Sequence, residues 1–307
     1  MPLSKDSLKA LAEDFGVVLL FHGTFDSSPS MLGNDFHNIA PDELFKQLES
    51  MTRWFRFVSI DEYCAASDRS GLAAVTLDDG YRSVLEQGLK VFEALDIPVA
   101  LFLNKVFLEG KPFWRDKVRL MITRNWVSAF ERQFKGRFHV RADQSFYRYT
   151  KDPRNNSVAV EQALDEFLED RASEADYSAF YLQGAAMLKA HPLVRYGSHS
   201  VNHYVMSSLT EEQQWREIEE NRRFLNTFKN LQQTDVFSIP FGGERDYNDA
   251  TVRLAGEAGH GSLLLSRGAI QRGIHLGDTV PQSVDRIMPR ADSVQGLEAL
   301  LISKTAV

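Results

Sequence analysis

Short apolar runs alternate with longer amphipathic segments along most of the chain, and this alternation limits the folds that it can adopt. Runs typical of buried strands lie at residues 17–21, 73–77, 99–103, 194–196, 235–239 and 262–265. Between them, apolar residues recur at helical spacing and predict helices, among them one at about residues 82–95 and one at residues 246–257. Strands that alternate with helices predict an α/β fold with a parallel sheet or barrel. Because catalytic residues collect at the carboxyl ends of such strands, polar residues directly after a run are the candidates for function.

The segment from about residue 114 to residue 193 departs from this alternation. It is mostly polar and helical in pattern, with few strand signals, and Pro153 to Asn156 indicate a loop. It is too long for a plain connection between a strand and a helix, so we predict a helical insertion. Because α/β barrels of this size are often a single domain, the sequence predicts one domain over residues 1–307 that carries the insertion.

The composition argues against several classes of partner. The formal net charge is −7, whereas nucleic-acid binding needs clustered Lys and Arg. No apolar stretch is long enough to span a membrane. The N-terminal segment carries three acidic residues and no long apolar run, unlike a secretory signal. We therefore expect no nucleic-acid partner, no transmembrane segment and a cytoplasmic location.

The strongest local signal is TLDDGY, in which Asp78 and Asp79 directly follow a predicted strand and precede a glycine. Adjacent residues at a strand end point in different directions. One carboxylate could therefore bind a metal ion while the other accepts a proton. Taken alone, the pair is also typical of a turn, because Asp-Gly is a common turn dipeptide.

A second signal, GSHSVNH, follows the predicted strand at residues 194–196. Its two histidines, His199 and His203, are four residues apart, so one helical turn would bring them close enough to bind one ion. Two such histidines could equally be ordinary surface or core residues, but the chain has only 8 in all. Together with one aspartate they would supply three protein ligands and leave a coordination position open, which is typical of a catalytic metal site.

These segments resemble the motifs of a known family. TLDDGY is similar to the TFDDG motif of NodB-type polysaccharide deacetylases, and GSHSVNH is similar to their HSxxH motif. The matching segments span the chain from Phe21 to Arg290, apart from the insertion. The resemblance implies a distorted (β/α) barrel with seven strands, the NodB-homology fold. It also implies hydrolysis of acyl groups, usually N-acetyl, from sugars.

Residue by residue, the resemblance implies a role for each member of the two motifs. Asp78 would be the general base, and Asp79, His199 and His203 would bind a divalent metal, commonly zinc. Elementary electrostatics agrees with this assignment. A carboxylate beside a divalent cation stays ionised at neutral pH, so Asp78 could take a proton from the attacking water.

The third family motif, Arg-x-Pro followed by Phe or Tyr, is only partly present. The chain has SIPFG, so that Pro240 and Phe241 are kept and Ser238 stands in the place of the arginine. The backbone N–H of Phe241 is a candidate donor to an oxyanion, although a turn at a strand end explains the segment almost as well. The missing arginine is similar to an intracellular branch of the family that acts in surface-polysaccharide biosynthesis, such as that of O-antigen or capsule.

Two further segments, FHG and MPR, are similar to that branch. His22 could contact substrate, relay a proton or be a structural histidine. Arg290 could orient Asp78 or bind an acidic sugar group, although a lone arginine is more often a surface residue. The acid that protonates the leaving amine is left open between His22, another group and His275, which is the one histidine after the last predicted strand.

Three aromatic residues could line a sugar pocket, since aromatic faces stack on sugar rings. They are Tyr81, Phe113 and Trp114. For Phe113 and Trp114 ordinary core packing is the favoured explanation.

The sequence leaves three functions open. The first is a metal-dependent deacetylase that acts on a nucleotide-linked or lipid-linked sugar. The second is a hydrolase of another C–N bond, such as a formamide, on the same fold. The third is a degenerate sugar-binding protein without catalysis, against which the intact metal set and adjacent base argue.

Overall fold

The computed structural model describes residues 5–33, 36–169, 171, 177–272, 281–289 and 293–304. The strands are β1 (Phe15–Phe21), β2 (Arg56–Phe57), β3 (Leu72–Leu77), β4 (Val99–Leu103), β5 (Val194–Ser198), β6 (Gln233–Ser238), β7 (Ser262–Leu265), β8 (Gln271–Arg272) and β9 (Gln282–Asp285). The helices are α1 (Lys5–Asp14), α2 (Pro41–Met51), α3 (Ile60–Ala65), α4 (Leu89–Leu95), α5 (Lys105–Leu108), α6 (Trp114–Thr123), α7 (Val127–Gln133), α8 (Phe146–Tyr149), α9 (Ser157–Leu168), α10 (Glu211–Leu225), α11 (Asp249–Glu257) and α12 (Val294–Ser303). None of the helices in these ranges has the length and apolar character that crossing a membrane requires.

Seven parallel strands form a barrel in the order β1-β3-β4-β5-β6-β7-β9. The barrel closes next to β9, where the Ile287 N–H donates to the Val18 carbonyl and the Leu20 N–H donates to the Ile287 carbonyl, both at 2.8 Å. A register shift between Tyr196 and Ser198 makes the pairing of β5 with β6 irregular. The two-residue strands β2 and β8 lie outside the barrel, on β3 and β1. The predicted distorted seven-stranded barrel is confirmed.

The barrel strands β1, β3, β4 and β7 are largely apolar runs because helices cover their outer face while side chains fill the interior. Every residue of β3 and of β4 is buried. Between them these strands contribute to an interior cluster with Val18 of β1 and Leu264 of β7. Burial on both faces explains why these strands could be recognised from short stretches of sequence.

The connection between β4 and β5 carries α5 to α9, and α6 packs against α8 and α9. This part of the chain has its own aromatic core, in which the Phe130 ring contacts the rings of Phe134, Phe146 and Phe167. The helices begin before the predicted start of the insertion at residue 114, because α5 already follows β4 directly. The single-domain organisation stays a prediction.

Several elements differ from the sequence expectation. The predicted helix at residues 82–95 contains a π-helical segment, Val84–Gly88, before α4. The predicted helix at residues 246–257 starts later, at Asp249, because Asn248 caps it in a reciprocal capping box with Thr251. The seventh barrel strand, β9, has a sequence too polar to predict a strand, and only its last two residues are buried.

Candidate active site

The carboxyl ends of the strands carry the candidate residues. His22 follows β1, Asp78 and Asp79 follow β3, His199 follows β5, and Phe241 lies three residues after β6. All five line one cavity of about 770 Å³. The structure therefore brings together residues that are up to 219 positions apart in the sequence. This cavity is the candidate active site.

Asp79 and the two histidines form a compact buried cluster. The Asp79 Oδ1 atom lies 3.4 Å from His199 Nε2 and 3.3 Å from His203 Nε2. The three potential ligand atoms all lie within 4.8 Å of one another. Asp79 and His203 reach this arrangement with positive φ angles of 69° and 58°, which few residues other than glycine adopt and which are common at functional sites.

The donor set of this cluster fits a divalent cation. The Nδ1–H of His199 donates to the Ser238 carbonyl at 2.7 Å, so the neutral ring presents a lone pair at Nε2. Asp79 Oδ1 is buried and has no hydrogen-bond partner among the described residues. A buried acceptor without a partner costs roughly 1–3 kcal/mol, which a bound cation would remove. One carboxylate and two imidazoles are also the ligand types that zinc favours.

The pKa shifts of two of the three cluster members, Asp79 and His203, suit cation binding. Burial lowers the pKa of His203 to about 3 and outweighs the attraction of the Asp79 carboxylate. Burial raises the pKa of Asp79, but the nearby His203 and His199 outweigh it and hold this pKa well below its usual range. Burial also lowers the pKa of His199, but the Asp78 and Asp79 carboxylates outweigh burial and raise it. A neutral His203 and an ionised Asp79 are the forms that ligate metals.

Asp78 does not share the ligand cluster but forms a buried ion pair beside it. The Arg286 guanidinium binds both carboxylate oxygens of Asp78, with Nη1 at 2.9 Å from Oδ1 and Nη2 at 2.8 Å from Oδ2. Ser238 Oγ donates to Asp78 Oδ2 at 3.0 Å. Burial raises the pKa of Asp78, but the charge of Arg286 outweighs it and lowers this pKa overall. Asp78 is therefore an oriented, ionised carboxylate with Oδ2 at 3.7 Å from His199 Nε2.

Sequence reasoning missed Arg286 and named Arg290, which lies outside the described residues, as the arginine that could orient Asp78. Arg286 directly follows β9 and is only 1% exposed. The same guanidinium donates to Ser238 Oγ at 3.0 Å, so it reaches the position at which the third family motif places its arginine. The signal that could have revealed Arg286 is the strand-end rule applied to the seventh strand that the resemblance implies.

His22 belongs to a pair of histidines of which only one was predicted. Its Nδ1 lies 3.2 Å from Nδ1 of His37, and His37 Nε2 lies 2.6 Å from the Pro289 carbonyl. A carbonyl only accepts, so His37 is protonated at Nε2, and a neutral His37 accepts at Nδ1. His22 therefore donates from Nδ1. Its Nε2 remains for chemistry in the cavity, and burial lowers the pKa of His22 despite the neighbouring carboxylates.

The loop that carries His203 is held by buried polar residues that the sequence did not reveal. Glu217 of α10 accepts hydrogen bonds from the backbone N–H and the side chain of Asn202, both at 2.7 Å. Asn104 donates to the Ser200 carbonyl at 3.0 Å. Ser200 Oγ in turn accepts from the His203 N–H at 3.0 Å. These contacts fix the backbone of the loop and hence the His203 ring.

The remaining candidates differ in their distance from the cluster. Phe241 lies with its ring centroid 4.6 Å from that of His203, at a positive φ of 61°. Its N–H has no acceptor among the described residues. Tyr81 and Phe113 line the cavity, and the Tyr81 ring lies 4.7 Å from that of Phe36.

Two further candidates need correction or fall outside the structure. Trp114, proposed as a sugar contact, does not line the cavity; it is 1% exposed and donates from Nε1 to the His203 carbonyl at 3.2 Å. It therefore packs behind the loop that carries His203, in agreement with the core packing that the sequence analysis favoured for this residue. His275 lies outside the described residues.

Comparison with known proteins shows which proteins this chain resembles. The sequence model of the polysaccharide deacetylase family matches residues 171–262, which include the histidine motif and the Pro-Phe segment. The Streptococcus pyogenes deacetylase PplD, solved with acetate, is 14% identical, with a TM-score of 0.55 over 94% of this chain and 98% of PplD. IcaB from Ammonifex degensii is 17% identical, with a TM-score of 0.55 over 94% of this chain and 97% of IcaB. No curated protein matches the sequence significantly.

At these identities the two structures establish a shared fold. The residues that match the family model include the histidine motif and Phe241 but not the Asp-Asp motif, so this match is independent of Asp78 and Asp79. Together they confirm the resemblance to NodB-type polysaccharide deacetylases that the motifs predicted. The family match also supports the prediction that the chain is a carbohydrate deacetylase.

Proposed function

We propose that the chain is a metal-dependent hydrolase that removes the N-acetyl group from an amino sugar. One observation carries the proposal. An ionised carboxylate, Asp78, lies beside a buried cluster of three metal-ligand side chains and is clamped by Arg286. This arrangement is that of a base next to an electrophilic centre, and a non-catalytic sugar-binding protein would need neither.

Asp79, His199 and His203 would hold a divalent ion, which we propose to be zinc. When bound, such an ion supplies Lewis-acid chemistry, since it polarises an acyl carbonyl and makes a water molecule more acidic. Asp78 accepts a proton from the water as its oxygen attacks the acyl carbon. Arg286 keeps Asp78 ionised and correctly oriented for this transfer.

The attack converts the acyl oxygen into an oxyanion, and the free N–H of Phe241 donates a hydrogen bond to it. We assign the acid role to His22, whose unprotonated Nε2 takes up a proton, in net the one that Asp78 accepted from the water, and passes it to the amide nitrogen. The C–N bond then breaks, which leaves acetate and a free amino sugar. His37 accepts from the Nδ1–H of His22, so Nε2 is the atom that takes up and delivers this proton.

Replacing His22 with Gln tests this assignment. We expect kcat for an N-acetyl sugar to fall by about 10²–10⁴ because leaving-group protonation is lost, while metal content stays unchanged. Hydrolysis of a nitrophenyl acetate ester should fall much less, because its leaving group needs no proton. His191→Gln, at a histidine paired with Glu93 on the surface, is the control. A His22→Gln enzyme with wild-type kcat on the N-acetyl sugar would return the acid role to His275 or another group.

Our proposal for the natural substrate rests on the resemblance to the intracellular branch of the family, which lacks the arginine of the third motif. We propose a nucleotide-linked or lipid-linked sugar used in surface-polysaccharide biosynthesis, such as that of O-antigen or capsule. The Ser238 substitution supports this branch and does not weaken catalysis, because Arg286 supplies the missing guanidinium. The cytoplasmic location stays a prediction.

Metal removal and product analysis test the function as a whole. We expect the purified protein to contain about one divalent ion per chain and to release acetate from N-acetylated sugars. A strong chelator should abolish the release, and added zinc should restore it. If formate were released from N-formyl sugars faster than acetate from N-acetyl sugars, the acyl group removed would be formyl rather than acetyl. Metal binding without any acyl release would favour the alternative function, a sugar-binding protein without catalysis.

A further inference from the structure

One wall of the active-site cavity is cationic, although the chain as a whole carries a net charge of −7. The wall is built by α6, by α8 and by the residues that follow α8. Four positively charged side chains line the cavity there: Arg115, Arg119, Arg148 and Lys151. None of them takes part in the mechanism described above.

Only one of the four is neutralised locally. Arg119 forms an ion pair with Asp116. No carboxylate of the described residues lies within 4.0 Å of the charged nitrogens of the other three. Asp246, which also lines the cavity, accepts a hydrogen bond from the Gly243 N–H at 2.9 Å.

Arg115 is the most unusual of these cations because it is only 1% exposed. It donates to Thr150 Oγ1 and to the Tyr147 carbonyl, each at 2.9 Å. Its Nε has no partner among the described residues. Proteins rarely bury a guanidinium without a carboxylate, since an unpaired buried charge is strongly destabilising. Such a group is typical of a site whose anion is supplied by a ligand.

The pKa values of two neighbouring side chains are shifted in the direction that a positive potential causes. Burial raises the pKa of Tyr147, but the charges of Arg115, Arg119 and Lys151 outweigh it and lower this pKa. Burial lowers the pKa of Lys151, and the charges of Arg115 and Arg148 lower it further, while Tyr147 and Asp246 oppose this shift without cancelling it. An anion among these side chains would relieve their mutual repulsion.

We propose that Arg115, Arg148 and Lys151 form a subsite for an oxyanion that is part of the sugar substrate. The inference rests on the proposed deacetylase function and adds that the substrate is an acidic N-acyl sugar, with a phosphate ester or a carboxylate beside the acylated residue. Lys151 Nζ lies 4.9 Å from the Phe241 ring centroid, and the His203 ring packs on the same phenyl ring. Phe241 therefore contacts both Lys151 and His203, and all three cations line the same cavity as the proposed metal ligands, so one substrate can reach both.

Equilibrium binding to the full-length protein tests the subsite without requiring turnover. The probes are N-acetylglucosamine 1-phosphate, N-acetylglucosaminuronic acid and the neutral methyl glycoside of N-acetylglucosamine. We expect at least one acidic sugar to bind about tenfold more tightly than the neutral glycoside, the worth of one charge-assisted hydrogen bond. Preference for the phosphate identifies a phosphate-linked sugar, and preference for the carboxylate identifies an acidic sugar unit. The preference should weaken in high salt.

Two variants and one matched control link the preference to these residues. Lys151→Gln or Arg148→Gln should remove most of it, whereas Lys46→Gln, which removes the same charge from the exposed surface of α2, should leave it intact. The measurement is repeated after metal removal, because a phosphate could also bind the metal directly. Equal affinity for acidic and neutral sugars would overturn the proposal. So would a preference that disappears with the metal or persists in both variants.

The two proposals fail in distinguishable ways. Tight binding of acidic sugars without acyl release would overturn the proposed deacetylase function but support the proposed oxyanion subsite. Acyl release from neutral sugars alone, with no preference in binding, would overturn the subsite and leave the deacetylase.

Discussion

The Asp79→Ala protein should be purified without bound metal and without deacetylase activity. The substitution removes the one anionic ligand from a cluster whose other members are neutral imidazoles. We expect metal affinity to fall by at least about 100-fold, since changes that merely disturb a ligand already cost 10–100-fold. Elemental analysis of the dialysed protein and acetate release from an N-acetyl sugar measure the two losses.

The control for this prediction is Asp143→Ala, which removes an exposed carboxylate that pairs with Arg141 on the surface. That variant should keep both metal and activity. His203→Ala should behave like Asp79→Ala because its Nε2 lies 3.3 Å from the same carboxylate oxygen. Stoichiometric metal in both the Asp79 and the His203 variants would show that the ion binds elsewhere.

The Asp78→Asn protein should show the opposite combination, with full metal content and almost no turnover. Asparagine has the shape of aspartate and can still accept a hydrogen bond from Arg286, so the ligand cluster should persist. It cannot accept a proton from water, and we expect kcat to fall by about 10²–10⁴. Steady-state kinetics with parallel metal analysis measures this separation. Full activity of Asp78→Asn across the pH range would disprove the base assignment.

Arg286→Lys supplies a graded companion to this variant. Lysine keeps the positive charge but cannot bind both oxygens of Asp78 in the planar geometry of a guanidinium. Turnover should therefore lie between wild type and Asp78→Asn, with metal content unchanged. Arg267→Lys is the matched control, because Arg267 makes a similar two-pronged contact with Asp285 away from the base.

Much of the barrel could be predicted because its signals are local. Parallel strands buried on both faces are short apolar runs, and β3 and β4 are of this kind. The strand-end rule then selected Asp78, Asp79, His199 and His203 without knowledge of their distances. The resemblance supplied the number of strands, which the runs by themselves did not.

The missed elements have the opposite character, since nothing near them in the sequence marks them. The strand β9 contains few apolar residues and is defined by its pairing with β7. The neighbouring Arg286 meets Asp78 across 208 residues of sequence, so their contact depends on barrel closure. Likewise, the expected sugar contact Trp114 and the unexpected cation Arg115 are adjacent in α6, and only the packing of that helix decides which of them lines the cavity.

The sequence by itself determined the class of fold and the three residues proposed to bind the metal, because apolar runs and short motifs consist of neighbouring residues. The tertiary structure alone decided which arginine pairs with the base, how His22 is oriented and which charges line the substrate cavity. Those features arise from side chains on different strands and helices, and their energies depend on distance in space rather than on order along the chain.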